Sequence, residues 1–205
     1  MRLVFAILAS VVLAQCATPG DGRFKVGDSD DAYVIIGVAE RDANTLPHYQ
    51  VLWRRLNSQG GFRPFLVGRY FEAATNERDS RRVEGIPGEF TMTDIEPGTY
   101  ALDSVYALIP DGRVIYAANG VVRGPERPSF TVGRGEAVYL GIWEVNIEDA
   151  AAVIRPWRLD EADLRAVLQA VDPVKGGEVE LRETEIVSVP CNPYRVGSIS
   201  QRQVC

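Results

Sequence analysis

Apolar and polar positions alternate in short runs along most of this chain, and turn residues separate the runs at close intervals. Tyr33 to Ala39 (YVIIGVA) is a β-branched run bounded by acidic turns and predicts a strand. Tyr49 to Leu56 and Arg63 to Phe71 follow, joined by Asn57-Ser58-Gln59-Gly60-Gly61, a hairpin-type turn. Glu89–Thr93, Thr99–Ile109, Arg113–Ala118, Ser129–Val132 and Glu136–Val145 continue the series. Glu96-Pro97-Gly98, Pro110-Asp111-Gly112, Asn119-Gly120 and Gly133-Arg134-Gly135 separate them. Strands at this spacing, without helices between them, predict a sandwich or barrel and not a β/α fold.

The alternation also assigns faces. In Thr99–Ile109 it puts Tyr100, Leu102, Ser104, Tyr106 and Leu108 on one face and Asp103 on the other. In Ala137–Val145, Val138, Leu140, Ile142 and Glu144 alternate with Tyr139, Gly141, Trp143 and Val145; both sets are largely apolar, which predicts a central strand. Glu178 to Val189 (EVELRETEIVSV) reads as one last strand, charged as an edge strand should be. Residues 72–88 predict a short helix or a loop.

The period changes once. Asp160 is placed to cap a helix, with Asp163 three positions on and Leu159 and Leu164 set as a hydrophobic staple. Leu164, Val167, Leu168 and Val171 then fall on one stripe, and Pro173 stops the helix. This stripe predicts a lid over an edge or end of the sandwich.

Leu3 to Ala14 (LVFAILASVVLA), preceded by Arg2, is an unbroken apolar run too short to span a bilayer as a mature helix and suited to a signal-peptide core. Leu13-Ala14-Gln15-Cys16 resembles the lipobox of bacterial lipoproteins, in which small residues precede a cysteine that receives lipid. Gln15 departs from the Gly or Ala usual there. The resemblance implies a signal peptide over 1–15, lipidation of Cys16, and a membrane partner reached through that lipid. Ala17, in place of Asp, implies the outer membrane. The other reading is ordinary cleavage by signal peptidase, giving a soluble periplasmic or secreted chain. Residues 16–31, rich in Gly, Asp and small polar residues, predict a flexible tether. Asp28, Asp30 and Asp31 lack the spaced ligands of a calcium loop.

Both readings export the chain to an oxidising compartment. With Cys16 lipidated or removed, Cys191 and Cys205 remain, an even pair that predicts a disulfide closing a tail over 191–205. The alternative is two free thiols on a frayed terminus. Two isolated cysteines without nearby histidine do not predict a metal site.

Pro97-Gly98-Thr99-Tyr100 and the later Gly135-Glu136-Ala137-Val138-Tyr139-Leu140-Gly141, followed by an Asp-started helix and a final strand, carry a family resemblance. The chain resembles uncharacterised bacterial envelope lipoproteins with a transthyretin-like or carboxypeptidase-regulatory-like β-sandwich, over roughly 33–189. The resemblance implies a mainly β fold: an antiparallel sandwich (transthyretin- or immunoglobulin-like) over 32–190 with one helix at about 160–172. It implies no catalytic residue and no cofactor.

The 205 residues are of ordinary globular composition, 46% hydrophobic and 24% charged. A net charge of −6 argues against a nucleic-acid partner, which needs cationic surface. Residues 54–82 run against that balance, with seven arginines to three acids. There Arg54, Arg55, Arg63 and Arg69 beside Trp53 make a candidate surface for an anionic envelope polymer or protein. A soluble module would instead use Trp53, Trp143 or Trp157 on carbohydrate or peptide. His48 is the single histidine and sits outside any nucleophile motif; Glu144, Glu148 and Asp149, or Asp160 and Glu161, read as solvated carboxylates. The expectation is a non-enzymatic binding or structural module of the cell envelope.

Overall fold

The computed structural model describes residues 22–40, 47–64, 70–111, 114–122, 124–198 and 202–205. The expected signal peptide, Cys16 and Arg69 lie outside the described residues. In chain order the elements are β1 (Phe24–Lys25), β2 (Ala32–Glu40), β3 (His48–Arg55), β4 (Tyr70–Ala74), β5 (Glu89–Ile95), β6 (Gly98–Asp111), β7 (Val114–Val121) and β8 (Glu126–Val132). They continue with β9 (Ala137–Glu148), β10 (Ala151–Arg158), α1 (Glu161–Val171), β11 (Val174–Lys175), β12 (Val179–Leu181), β13 (Glu185–Ser188), β14 (Tyr194–Arg195) and β15 (Gln203–Val204). The fold is mainly β, with two packed sheets and one short helix.

The first sheet has the order β10-β9-β2-β5, with β12 beside the start of β9. Its central pair, β2 and β9, is parallel, as is β12 with β9; the other pairs are antiparallel. The second sheet, β13-β8-β6-β3-β4 with β7 beside the end of β6, is antiparallel throughout. Between them lies the main core. Trp53 and Trp143 meet edge to face at 5.2 Å, and Phe71, Tyr100 and Phe130 surround them. Tyr100, expected to enter the core beside Pro97-Gly98, does so, and its hydroxyl donates to the Glu96 carbonyl at 2.8 Å.

Two bulges shift the expected faces. Gly141 has φ +77°, and a Cβ there would collide with the Arg158 carbonyl. The ladder between β2 and β9 shifts at this point, so Val138 and Leu140 before it, but Trp143 and Val145 after it, face the main core. In β6, Leu102 pairs with Trp53 and Ser104 with Leu52, which leaves Asp103 as the extra residue. Tyr100 and Leu102, then Val105 and Ala107, therefore point inward.

Asn119-Gly120, expected as a turn, is paired inside β7 with Tyr106 and Val105, and β4 runs from Tyr70, in the strand expected over Arg63–Phe71, on into the expected helix or loop as far as Ala74. Three larger expectations also change. The run 178–189 is not one strand: β12 joins the first sheet and β13 the second, so this segment crosses between layers. Alternation marks an extended segment without naming its partner. The helix covers a sheet face and not an end. Leu164 and Val167 pack on Tyr33, Ile35, Phe90, Tyr139 and Ile142, the outward side chains of the first sheet. Asp160 caps it as expected, accepting from the Ala162 and Asp163 amides; Asp163 instead receives Arg158 at 2.9 Å. Finally, Phe24 is buried against Tyr33, with ring centroids 5.1 Å apart, and β1 pairs with β11. The described part of the expected tether is therefore docked from Phe24 onward, because an aromatic ring there has apolar surface to cover.

Candidate functional site

The arginine and tryptophan surface is the first candidate to place. Trp53 is fully buried in the main core, so it is withdrawn from any binding surface. Arg54, next along β3, points to the opposite face and is buried too. Its guanidinium donates to Asp103 at 2.5 Å and to the Arg63 carbonyl, and lies over the Phe62 ring at 4.9 Å. Arg55 is tied to Glu96, and Arg63 is half-buried. The cationic run is thus largely consumed in internal pairing. Of the three tryptophans, Trp53 and Trp143 are core and Trp157, 47% exposed, faces solvent. The tryptophans do not form a shared platform for a sugar ring.

Asp103 sits at the centre of the outer face of the second sheet, and this face is unusual in what it buries. Arg127, on β8, is fully buried there along with Ser104 and Ser129. Burial pulls the Arg127 guanidinium down from its ordinary range, against the raising effect of the Asp103 charge. The cover is the C-terminal tail. The Cys205 amide donates to Asp103 at 2.8 Å, and Arg202 reaches Glu72 at 2.6 Å and Gln50 at 3.2 Å. Cys205 is joined to Cys191 by the expected disulfide. Arg127 donates to the Val122 carbonyl at 2.5 Å and approaches the Cys205 sulfur at 3.4 Å, so it links the staple to the end of β7.

Beside this staple the sandwich is open. A cleft of about 940 Å³ separates the β9–β10 hairpin from β7 and β8. Its floor is Leu102, Val105 and Ala152, all part of the main core. Val121, Val122 and Pro128 form one wall, Val153 and Ile154 the other, and Cys191, Pro193 and Gln203 of the stapled tail form the rim. Glu148 and Asp149 stand at the hairpin, where Arg155 holds both oxygens of Glu148 at 2.7 and 2.8 Å. Asp149 and Ala150 both have positive φ, the geometry of a two-residue hairpin turn of the I′ type. Sequence reading missed this site because it placed no strand at Ala151–Arg158. The signal available was the run Ala151-Ala152-Val153-Ile154, four apolar residues with no assigned element.

Other polar groups named in the sequence have these partners. His48 lies 3.2 Å from Glu77 and 3.4 Å from the Gln50 side chain. A smaller cavity of about 300 Å³, lined by Glu40, Asn76, Arg82 and Glu89, adjoins a saturated carboxylate. Burial alone would raise the Glu89 carboxyl. Hydrogen bonds from Ser80, Arg82 and the Asn76 amide, with the charge of Arg82, outweigh burial and hold it below its usual range. Asp160 is spent on the helix cap, Glu161 lies 3.8 Å from Arg165, and Asp30 pairs with Arg134. Among the described residues no group of three His, Cys, Asp or Glu side chains is placed to hold a metal ion. No protein-family model matches this chain, and neither a curated protein nor a solved structure matches it.

Proposed function

We propose that the chain is a non-enzymatic binding module of the bacterial cell envelope, held at the outer membrane by acyl chains on Cys16. One observation carries this reading. The disulfide joins Cys191 to Cys205 and so leaves Cys16, separated from the apolar run Leu3–Ala14 by Gln15 alone, as the third cysteine of the sequence. Stable disulfides belong to exported proteins, and two acyl chains on a cysteine anchor a protein firmly. Among the described residues no helix is long and apolar enough to cross a membrane. The partner is an envelope protein or polymer. The saturated or solvent-facing state of His48, Glu89, Asp160 and Glu161 supports a binding role over a catalytic one.

Metabolic labelling with an alkynyl palmitate analogue tests the anchor. The expected result is label on the natural chain and none on Cys16→Ser. Label that survives the substitution, or an unlabelled natural chain that stays soluble without detergent, contradicts it; the second outcome favours the soluble module.

A further inference from the structure

We infer that the cleft between the β9–β10 hairpin and β7–β8 is a binding site for the acyl chain of a lipid whose head is uncharged or cationic. The site is a breach in the sandwich. Leu102, Val105 and Ala152 belong to the main core yet also line the cleft, so an apolar occupant would complete a core that the protein leaves open. The volume lies within the usual range for small-molecule sites.

The lining selects the chemistry. The walls are aliphatic: Val121 and Val122 face Val153 and Ile154. Among the described lining residues there is no aromatic ring to stack on a sugar or base, and no hydroxyl. A flexible hydrocarbon fits such walls. A peptide adding to the edge of β10 would meet Pro156, which has no amide hydrogen to offer. Among the described lining residues the charged groups are both carboxylates, Glu148 held by Arg155 and Asp149 at the turn. They disfavour a carboxylate or phosphate head and accept an amine or alcohol. The rim is fixed covalently, since Cys191 lines the cleft and its disulfide partner Cys205 contacts Arg127, which also holds Val122.

The inference does not depend on the Cys16 anchor. Its test uses the full chain carrying Cys16→Ser, which under the anchor reading bears no acyl chain of its own. Hexadecylamine, hexadecanol and palmitate, each with a photoreactive diazirine in mid-chain, are crosslinked and the adducts mapped by mass spectrometry. The amine and the alcohol are expected to label residues 121–128 and 148–154 saturably, with competition by unlabelled hexadecanol. Val153→Trp, which fills the cleft, is expected to cut labelling at least about tenfold. Ala151→Phe fills it from the turn end and repeats the result if Val153→Trp disturbs folding; Val153→Ala keeps the label. Non-saturable label centred on exposed Trp157 or Ile186 would overturn the inference. Equal or stronger labelling by palmitate, indifference to both filling substitutions, or competition by a valine-rich peptide would overturn it as well.

Discussion

The two sheets turn very different outer faces to their covers. The first presents Tyr33, Ile35, Phe90, Tyr139 and Ile142, and receives Leu164 and Val167 of α1 together with Val83 and Ile86 of the loop before β5. Hydrophobic burial holds this cover, and its own sequence pattern specifies it. The second presents Arg54, Asp103, Ser104, Arg127 and Ser129, all buried, and receives a polar tail of a few residues. Val204 is fully buried in this tail, but that one side chain offers far less apolar area than the helix does. The tail is held by the disulfide, by Arg202 on Glu72 and Gln50, and by the Cys205 amide on Asp103. An apolar face can be closed by an amphipathic helix, whereas a charged face needs directed bonds and a covalent link.

The largest expected effect comes from the centre of the charged face. Asp103→Ala removes the carboxylate paired with buried Arg54 and the negative charge beside buried Arg127; urea denaturation should show a loss of about 3–5 kcal/mol. A neutral result would mean that the cluster is hydrated and the face less closed than it stands here. Replacing Cys191 and Cys205 together with alanine should cost about 3 kcal/mol, the chain-entropy value for a loop of this length. The same loss should follow reduction of the natural disulfide.

The apolar face has its own weak point, and it responds to pH. Glu89 holds the loop that carries Val83 and Ile86 through Ser80, Arg82 and the Asn76 amide. Its carboxyl is held lower in the fold than in the unfolded chain, so its contribution is complete above the ordinary glutamate value, about 4.3. It is lost as pH falls through the lower folded value. Glu89→Gln should therefore cost about 2 kcal/mol at neutral pH. The gap to the natural chain should narrow in acid-unfolding curves below about pH 4. A gap independent of pH would assign the loop to packing alone. The smallest effect lies at the cleft. Ala150 occupies a positive-φ turn position that glycine takes without strain. Ala150→Gly should raise stability by about 0.5–1 kcal/mol, read as a higher melting temperature.

Much of the layered fold was legible because strand alternation and turn chemistry are local. The Asn57–Gly61 turn closes as expected, with the Asn57 side chain accepting from the Gln59 and Gly61 amides at 2.9 and 3.0 Å. The helix and its Asp160 cap were legible for the same reason. The disulfide followed from counting cysteines in a chain expected to be exported. What escaped was non-local. Trp53 beside four arginines reads as surface until Asp103 and the Phe62–Arg63 segment are seen to enclose Arg54 while the first sheet covers Trp53 from within. The bulges at Asp103 and Gly141 exchange the faces of every residue beyond them, and alternation alone assumes no bulge. β10 was hidden by Asp149-Ala150, which lacks the usual glycine or asparagine of a turn, and by Pro156 inside the strand.

Hydrogen exchange with and without reductant tests most directly whether the disulfide closes the charged face. Reduction should deprotect the amides of Gln203–Cys205 and of Leu102–Tyr106, while those of Leu164–Val171 on the apolar face exchange as before. Protection of the tail that survives reduction, or loss of protection in the helix to the same degree, would contradict it.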